Sequence, residues 1–358
     1  MEMMIQWLRS ILADKQMVIL LLVLGIGAAI VLSIGDLLAP VIASVVIAFL
    51  LEGLIRHLER FGCPRRTAII LVFGLFMLFL AFLLIALVPL LITQISELTE
   101  NIPRIIARAQ TALQGIPKKF PLLTETHINF ILDGLTPQLS LYGKQILSFS
   151  LSSVRSVFSF LVYLVLMPIM VFFFLKDKEQ ILKWIADFLP HDHSLTRRVW
   201  AEVEKQAGNY VRGRVWEILI VWLATYACFL ITGLEYAMLL SLIVGLSVII
   251  PYIDAVVVTV PVVIIAYIQW GFGPEFTWAM VAYLVVQLLD ANLLVPLLLS
   301  GAVNLHPLAS IMGILVFGGI WGFWGVFFAI PLASLVQAVL QAWQSRRWRG
   351  ISEDLTSV

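Results

Sequence analysis

The sequence predicts an all-α, polytopic integral membrane protein of about eight transmembrane helices, with broken or re-entrant helices in its C-terminal half. Hydrophobic residues make up 61% of the 358 residues and charged residues 13%, whereas soluble domains are about a quarter charged. Several apolar runs reach the roughly 20 residues that cross a bilayer as a helix. The net charge of +1 gives no reason to expect a nucleic-acid partner. The lipid bilayer is therefore the expected environment.

The first part of the chain predicts a cytoplasmic N-terminus, 1–16, followed by three transmembrane helices within 17–95. The first two are predicted at 17–35 and 37–54. Basic loops stay on the cytoplasmic side of the membrane. The connection between the second and third helices is crowded with arginines and is therefore predicted to be cytoplasmic, as is the N-terminus. These arginines are Arg56, Arg60, Arg65 and Arg66.

In this prediction, successive segments in the middle of the chain lie on opposite sides of the membrane. Residues 96–152 are amphipathic and divided by four prolines, so they predict short extracytoplasmic helices on the outer face. One transmembrane helix follows at 153–175, and then a cytoplasmic helical segment at 176–214 that carries eight basic residues. The basic tail, 344–358, places the C-terminus in the cytoplasm as well.

The C-terminal transmembrane core, 215–343, contains two apolar stretches that are not predicted to cross the membrane as single unbroken helices. Pro251 and Pro261 interrupt the first, at 236–269. The second, 307–343, is too long for one crossing without a tilt or a break. Its predicted break is a group of glycines that permit close backbone approach or reversal. They are Gly318, Gly319, Gly322 and Gly325.

A polar stripe on an apolar helix is the strongest candidate for a site. Tyr283, Gln287 and Asp290 are spaced so that they share one helix face. Pro296 cannot donate to the carbonyl of Asn292, which adds that backbone oxygen to the cluster. One interpretation is a path for a polar solute or an ion, because intramembrane carboxylates usually face a bundle interior or water. The other is a hydrogen-bonded clasp between helices.

A second candidate is the turn around Pro251, Tyr252 and Asp254. Pro251 ends or bends a helix, and Tyr252 offers a hydroxyl where one end of the turn is wet. Asp254 has two interpretations, a carboxylate at a re-entrant tip or the N-cap of a helix starting at Ala255.

Catalytic and cofactor motifs are missing from the sequence. It contains no GxxxxGKS/T phosphate loop, no HExxH and no GxSxG. His191 and His193 lie in a polar connection without further metal ligands, so a surface turn is expected there. We therefore predict that the protein is not an enzyme and has neither a cofactor nor a metal site.

Three ordered stretches carry a resemblance to a known family: IIPYIDAVVVTVP, QLLDANLLVPLLLSGAVNLHPL and FGGIWGFWGVFFAIPLASL. The chain resembles the AI-2E transporter family and is most similar to its PerM permease branch. The resemblance extends over nearly the whole chain and includes YLVLMPIMVFFFLKDKEQ at the fourth span.

The resemblance implies an inner-membrane protein that forms a homo-oligomer, with a pentamer among the expected assemblies. It also implies export of small polar solutes such as autoinducer-2, or exchange of Na+ for H+. Two residues depart from the family pattern, since Asp254 and Ala291 stand where glycine is common.

The expected function is a permease that moves a small polar solute by alternating access, with or without coupling to an ion. A sodium/proton antiporter of the same family is one alternative. A scaffold that does not transport, and that docks partners through 176–214, is the other.

Overall fold

The structure is a computed structural model that describes residues 15–115, 154–187, 194–250, 254–299 and 305–337. Every regular element among these residues is helical, so the all-α prediction is confirmed for them. The α-helices are α1 (Lys15–Arg60), α2 (Arg65–Phe82), α3 (Val88–Gly115), α4 (Val154–Lys176), α5 (Lys178–Asp187), α6 (Ser194–Thr232), α7 (Ala237–Ser247), α8 (Asp254–Val257), α9 (Thr259–Trp270), α10 (Pro274–Leu289), α11 (Val295–Leu299) and α12 (Pro307–Phe327). Two π-helical segments, Leu83–Leu87 and Asp290–Leu294, interrupt this series, and 329–337 are again helical.

Five helices in the described part of the chain are long and apolar enough to cross a membrane. Their outward faces fit this environment, because large apolar side chains such as Ile70 and Leu78 are 66% and 68% exposed. A multi-pass membrane protein is thus supported, while the number of eight crossings stays a prediction. The five segments are Leu38–Arg60, Arg65–Ile105, Gln206–Thr232, Pro274–Leu299 and Pro307–Phe327.

Two helices continue through boundaries that the sequence predicted. α1 runs through Pro40 as one helix of 46 residues, about 69 Å long, so it does not end between 35 and 37. Ser44 Oγ donates to the Pro40 carbonyl (2.6 Å) on the turn after the proline. α6 likewise joins the predicted cytoplasmic segment to the next span without a break at residue 214.

Two prolines follow the π-helical segments in the same register. Leu83–Leu87 is followed by Pro89, and Asp290–Leu294 by Pro296, each proline being the second residue after the segment. In an ideal α-helix a proline ring clashes with the carbonyl four residues earlier. The wider π turn moves this carbonyl and so relieves the clash at both prolines.

The chain divides into two compact units. The first comprises the described residues within 1–74, 163–216 and 295–358, and the second those within 75–162 and 217–294. The hydrophobic core of the second unit is built from α6, α7, α9 and α10, with Phe229, Leu240, Val262 and Ala266 at most 1% exposed.

The second unit contains a helical hairpin made of α7 and α9. Gln269, near the end of α9, binds both sides of the turn that precedes α7. Its Nε2 donates to the Gly233 carbonyl (2.8 Å), and its Oε1 accepts from the Glu235 N–H (2.9 Å). The two ends of the hairpin therefore meet. With 11 and 12 residues, its arms are about 17 Å long, shorter than the roughly 30 Å of a bilayer core.

The first unit contains a second hairpin inside α12. The backbone leaves the helical region at Trp321 (φ −132°) and Gly322 (φ 58°, ψ −134°), and the latter combination is open almost only to glycine. A Cβ on Gly318 would lie 2.8 Å from Val326 Cγ2, and one on Gly313 would lie 3.3 Å from the Ala329 carbonyl oxygen. A continuous helix could not bring these pairs together, so the chain reverses at Gly322.

The reversal at Gly322 lies inside the candidate membrane span Pro307–Phe327. Its length of 21 residues satisfies a crossing only if the helix is straight. The arm that ends at Trp321 is about 22 Å long, which is short of a bilayer core. Residues 307–327 therefore form a bent element and not one straight crossing.

Candidate functional site

α6 and α10 run antiparallel within the second unit. Gln269 binds the Gly233 carbonyl just after α6, and α10 begins a few residues later at Pro274, so both helices meet at this end. Further from it, the rings of Phe229 and Tyr283 pack with their centroids 5.8 Å apart. Phe229 on α6 and Tyr283 on α10 therefore lie at the same depth in the unit, and distances along both helices are given from this contact.

The face of α6 that meets Tyr283 carries polar residues deep inside the unit. Glu217, Val221, Thr225 and Phe229 repeat every four residues, and their exposures lie between 0% and 1%. The buried Thr225 hydroxyl has no hydrogen-bond partner among the described residues. A buried polar group without a partner costs about 1–3 kcal/mol, so this hydroxyl can gain from hydrogen bonding to a polar molecule inside the unit.

The facing side of α10 carries a connected polar chain. Tyr283 and Asp290 are 3% and 4% exposed. Gln287 Nε2 donates to the Tyr283 hydroxyl (2.6 Å), which also shares a hydrogen bond with Thr259 on α9 (3.1 Å). We name six polar residues of this unit the polar seam, of which Thr259 and Gln287 are half-buried and the other four are buried. It consists of Glu217, Thr225, Thr259, Tyr283, Gln287 and Asp290.

The residues of the polar seam occupy successive levels along the two helices. Thr225 and Gln287 each lie four residues beyond the ring contact, which is about 6 Å along either helix. Asp290 comes next at about 10 Å and Glu217 at about 18 Å from that contact. The buried polar positions on α6 alone therefore extend about 18 Å from the ring contact, more than half of a bilayer core.

The structure separates the predicted residues near Pro296. Asp290 is the first residue of the π-helical segment Asp290–Leu294, and such segments are frequent at functional sites. Asn292 is exposed, and its Nδ2 donates to the Leu288 carbonyl (2.8 Å). Two residues beyond Asp290, the Asn292 side chain points away from the buried face and does not join the polar seam. That the Asn292 backbone carbonyl joins the cluster stays a prediction.

The predicted turn residues fall partly outside the described chain. Pro251 and Tyr252 lie outside the described residues, and Asp254 is itself the first residue of α8. Among the described non-glycine residues only Tyr236 has a positive φ, so the backbone at Asp254 does not require the glycine that the family pattern has there. The role of this turn stays a prediction.

Three residues of the polar seam were missed in the sequence. Glu217 and Thr225 lie inside the apolar stretch 215–233, and Thr259 lies two residues before Pro261. The carboxylate of Glu217 within a predicted span was a usable signal, because such residues are expensive and usually functional. The pairing of Thr259 with Tyr283 depends on the hairpin, which local spacing does not encode.

A third buried carboxylate organises one end of the first unit. Glu52, 7% exposed, accepts from Lys178 Nζ at 2.8 Å and from both terminal nitrogens of Arg65 at 3.3–3.4 Å. Arg65 also reaches Glu59 (3.3 Å) and the Leu175 carbonyl (3.4 Å). These contacts join α1, α2, α4 and α5. We name Glu52, Glu59, Arg65 and Lys178 the Glu52 cluster.

Tyr283→Phe should lower the free energy of unfolding by about 1 kcal/mol, because the Gln287 amide and the Thr259 hydroxyl lose a buried partner. Thermal unfolding of the purified protein in detergent measures this change. Tyr226→Phe is the matched control, since no hydrogen bond of the Tyr226 side chain joins it to the described residues. Equal unfolding temperatures for the two variants would contradict the hydrogen-bonded chain.

Comparison with known proteins gives one family. The profile of the AI-2E family transporters matches residues 18–345. The chain is 42% identical to the Escherichia coli K12 protein named "Putative permease PerM", over 96% of this chain and 98% of that protein. The chain belongs to the AI-2E transporter family.

More distant relatives of this AI-2E family member are also named for transport. The Bacillus subtilis 168 "Putative transport protein YueF" is 26% identical over 85% of this chain and 84% of that protein. The Escherichia coli K12 "AI-2 transport protein TqsA" is 21% identical over 86% of each chain. The family is thus one of permeases and transporters, which agrees with the several apolar helices of the structure.

Proposed function

We propose that this AI-2E family member exports a small polar solute across the bacterial inner membrane, and that the polar seam forms part of the solute's path. The observation that carries this proposal is the burial of three polar side chains, Glu217, Thr225 and Asp290, within one apolar unit. Among the described residues, the Thr225 hydroxyl has no hydrogen-bond partner. The named activity of TqsA supports a solute of the size and polarity of autoinducer-2.

The energetic argument starts from the cost of the buried carboxylates. An ionised carboxylate at the centre of a membrane helix costs about 2.5–3.5 kcal/mol on insertion scales. Hydrogen bonds between membrane helices contribute only about 0.6–2 kcal/mol each. Because intramembrane carboxylates usually face a bundle interior or an aqueous path, a path for a polar solute accounts for both Glu217 and Asp290.

The hairpin of α7 and α9 gives the path a moving part. Thr259, the first residue of α9, shares its hydroxyl hydrogen bond with Tyr283 of α10. Movement of this hairpin breaks that contact and changes access to the polar seam. The arms are too short to cross a bilayer, so we assign them a re-entrant arrangement, and the α12 hairpin likewise. Broken helices of this kind commonly form the sites of alternating-access transporters.

Sodium/proton exchange is the second candidate function. Two buried carboxylates in one unit favour it, because a carboxylate can bind either a proton or a cation as the path switches sides. In this case Asp290 and Glu217 bind the exchanged ion. If the protein instead exports a solute, Asp290 binds a coupling ion while the solute moves.

A scaffold that docks partners through 176–214 receives less support. The last part of this segment is packed within the first unit: Tyr210 and Arg214 are 1% and 3% exposed. A Cβ on Gly208 would lie 2.6 Å from Phe49 Cζ. Arg214 is accordingly not one of the solvated basic residues that the sequence prediction counted.

The proposed arrangement in the membrane places both termini in the cytoplasm. The Glu52 cluster brings the end of α1, the start of α2 and the end of α4 together, and these ends carry the basic residues that favour the cytoplasmic side. We also propose a homo-oligomer, with a pentamer as the arrangement to test, because the resemblance to the AI-2E family implies such an assembly.

Asp290→Asn should reduce transport at least about tenfold, because the amide cannot change its charge, and a tenfold change corresponds to about 1.4 kcal/mol. Efflux of autoinducer-2 from proteoliposomes and Na+-driven change of a trapped pH dye are measured side by side. Loss of autoinducer-2 efflux in Asp290→Asn supports export, and loss of the Na+-driven pH change supports exchange.

Glu275→Gln is the matched control for this experiment. Glu275 lies on the same helix in an exposed position and should transport as the unaltered protein does. Equal, undiminished flux for Asp290→Asn, with a normal elution profile in detergent, would remove Asp290 from the mechanism.

A further inference from the structure

A surface cavity next to the Glu52 cluster has the features of a ligand site. Its volume is about 670 Å³, within the range of small-molecule sites. Its apolar wall includes Ile70 and Phe172, and its charged lining comes from the start of α2 and from the junction of α4 and α5. The cavity therefore joins an apolar helix surface to a charged helix end.

The charge of this cavity is balanced once the ion pairs are counted. Arg65 lines it, but its guanidinium belongs to the Glu52 cluster, in which the two carboxylates of Glu52 and Glu59 balance the two cations Arg65 and Lys178. Two cations and two carboxylates then remain on the lining, and none of the four makes an ion pair with a described residue. They are Arg66, Lys176, Asp177 and Glu179.

This arrangement distinguishes between classes of lipid headgroup. A strongly basic pocket at a membrane surface favours an anionic headgroup, but here the carboxylates would repel an additional negative charge. A headgroup that carries both a phosphate and a primary ammonium can use all four residues. The phosphate accepts from Arg66 and Lys176, and the ammonium donates to Asp177 and Glu179.

The apolar wall accounts for the rest of such a ligand. Ile70 is 66% exposed, and its neighbour Leu71 is 56% exposed. These side chains lie on an apolar helix one turn beyond Arg66, where the hydrocarbon region of the bilayer is expected to begin. An acyl chain that leaves the headgroup can therefore lie along α2.

We propose that this cavity binds phosphatidylethanolamine. The lipid connects α2 to the junction of α4 and α5 from outside, as the Glu52 cluster connects them from inside. The inference does not depend on which solute the protein transports.

Lipid binding to the full-length protein in detergent tests this proposal. Dioleoyl lipids with ethanolamine, glycerol or choline headgroups are titrated separately, and bound lipid is counted by native mass spectrometry. Phosphatidylethanolamine should bind about tenfold more tightly than either of the others, as expected for a charge-assisted hydrogen bond worth at least about 1.5 kcal/mol. Equal binding of phosphatidylcholine would overturn the ammonium contact, and tighter binding of phosphatidylglycerol would overturn the balanced-charge argument.

Variants of the lining residues give a second test. Arg66→Gln and Glu179→Gln should each weaken phosphatidylethanolamine binding about tenfold, by the same estimate. Arg60→Gln and Asp187→Asn remove exposed charges that do not line the cavity and should leave binding unchanged. Unchanged binding in both lining variants would overturn the site.

Discussion

Gly325→Ala should prevent the α12 hairpin from closing and should lower the free energy of unfolding by at least about 3 kcal/mol. A Cβ at this position would overlap the Phe317 carbonyl oxygen. The obstacle is backbone rather than a flexible side chain, so the two arms would have to separate along their length. Thermal unfolding in detergent, followed by fluorescence-detected size exclusion, measures the loss.

Gly319→Ala is the matched control for this prediction. Gly319 lies in the same helix, and a Cβ there would meet no atom within 4 Å. Replacing an exposed helical glycine with alanine should stabilise the helix by up to about 1 kcal/mol. If Gly325→Ala were as stable as Gly319→Ala, the reversal at Gly322 would be wrong.

Glu52→Gln should lower the free energy of unfolding by about 2 kcal/mol. Removing one partner from a buried ion pair typically costs about 3–5 kcal/mol, but Lys178 and Arg65 are 29% and 33% exposed and can regain part of their hydration. Chemical or thermal unfolding in detergent measures the difference.

Glu59→Gln serves as the comparison for Glu52→Gln. The Glu59 side chain is 30% exposed and pairs with Arg65, so its removal should cost less than about 1 kcal/mol. A cost for Glu52→Gln no larger than that for Glu59→Gln would show that the Glu52 cluster does not hold the helix ends together.

Composition and apolar run length predicted the helical membrane class, and the stretch around Asp290 was found because its polar residues repeat at helical spacing. Glycine content predicted the break near Gly322, since an unusual backbone angle and a close approach both exclude a side chain. These signals are local, because each depends on residues within a few turns of one another.

Other features depended on contacts between distant segments. The first two spans were predicted to be separate at residues 35–37, yet α1 is continuous there. Arg214 was one of the eight basic residues of the predicted cytoplasmic segment, yet packing in the first unit buries it. Glu52 pairs with Lys178 across more than a hundred residues of chain, and no periodicity indicates such a pair. Burial and long-range pairing are properties of the assembled helices, so the sequence pattern could not supply them.

The reversal at Gly322 constrains the sidedness of the protein. Residues 306 and 337 must leave the α12 hairpin on one side of the bilayer, whether or not its arms cross, because an even number of passes returns the chain to its starting leaflet. The hairpin of α7 and α9, whose two ends Gln269 joins, likewise returns the chain to the side from which it entered. Neither hairpin can therefore invert the orientation of the next segment of the chain, and the leaflet reached by the C-terminus is decided by the remaining helices alone.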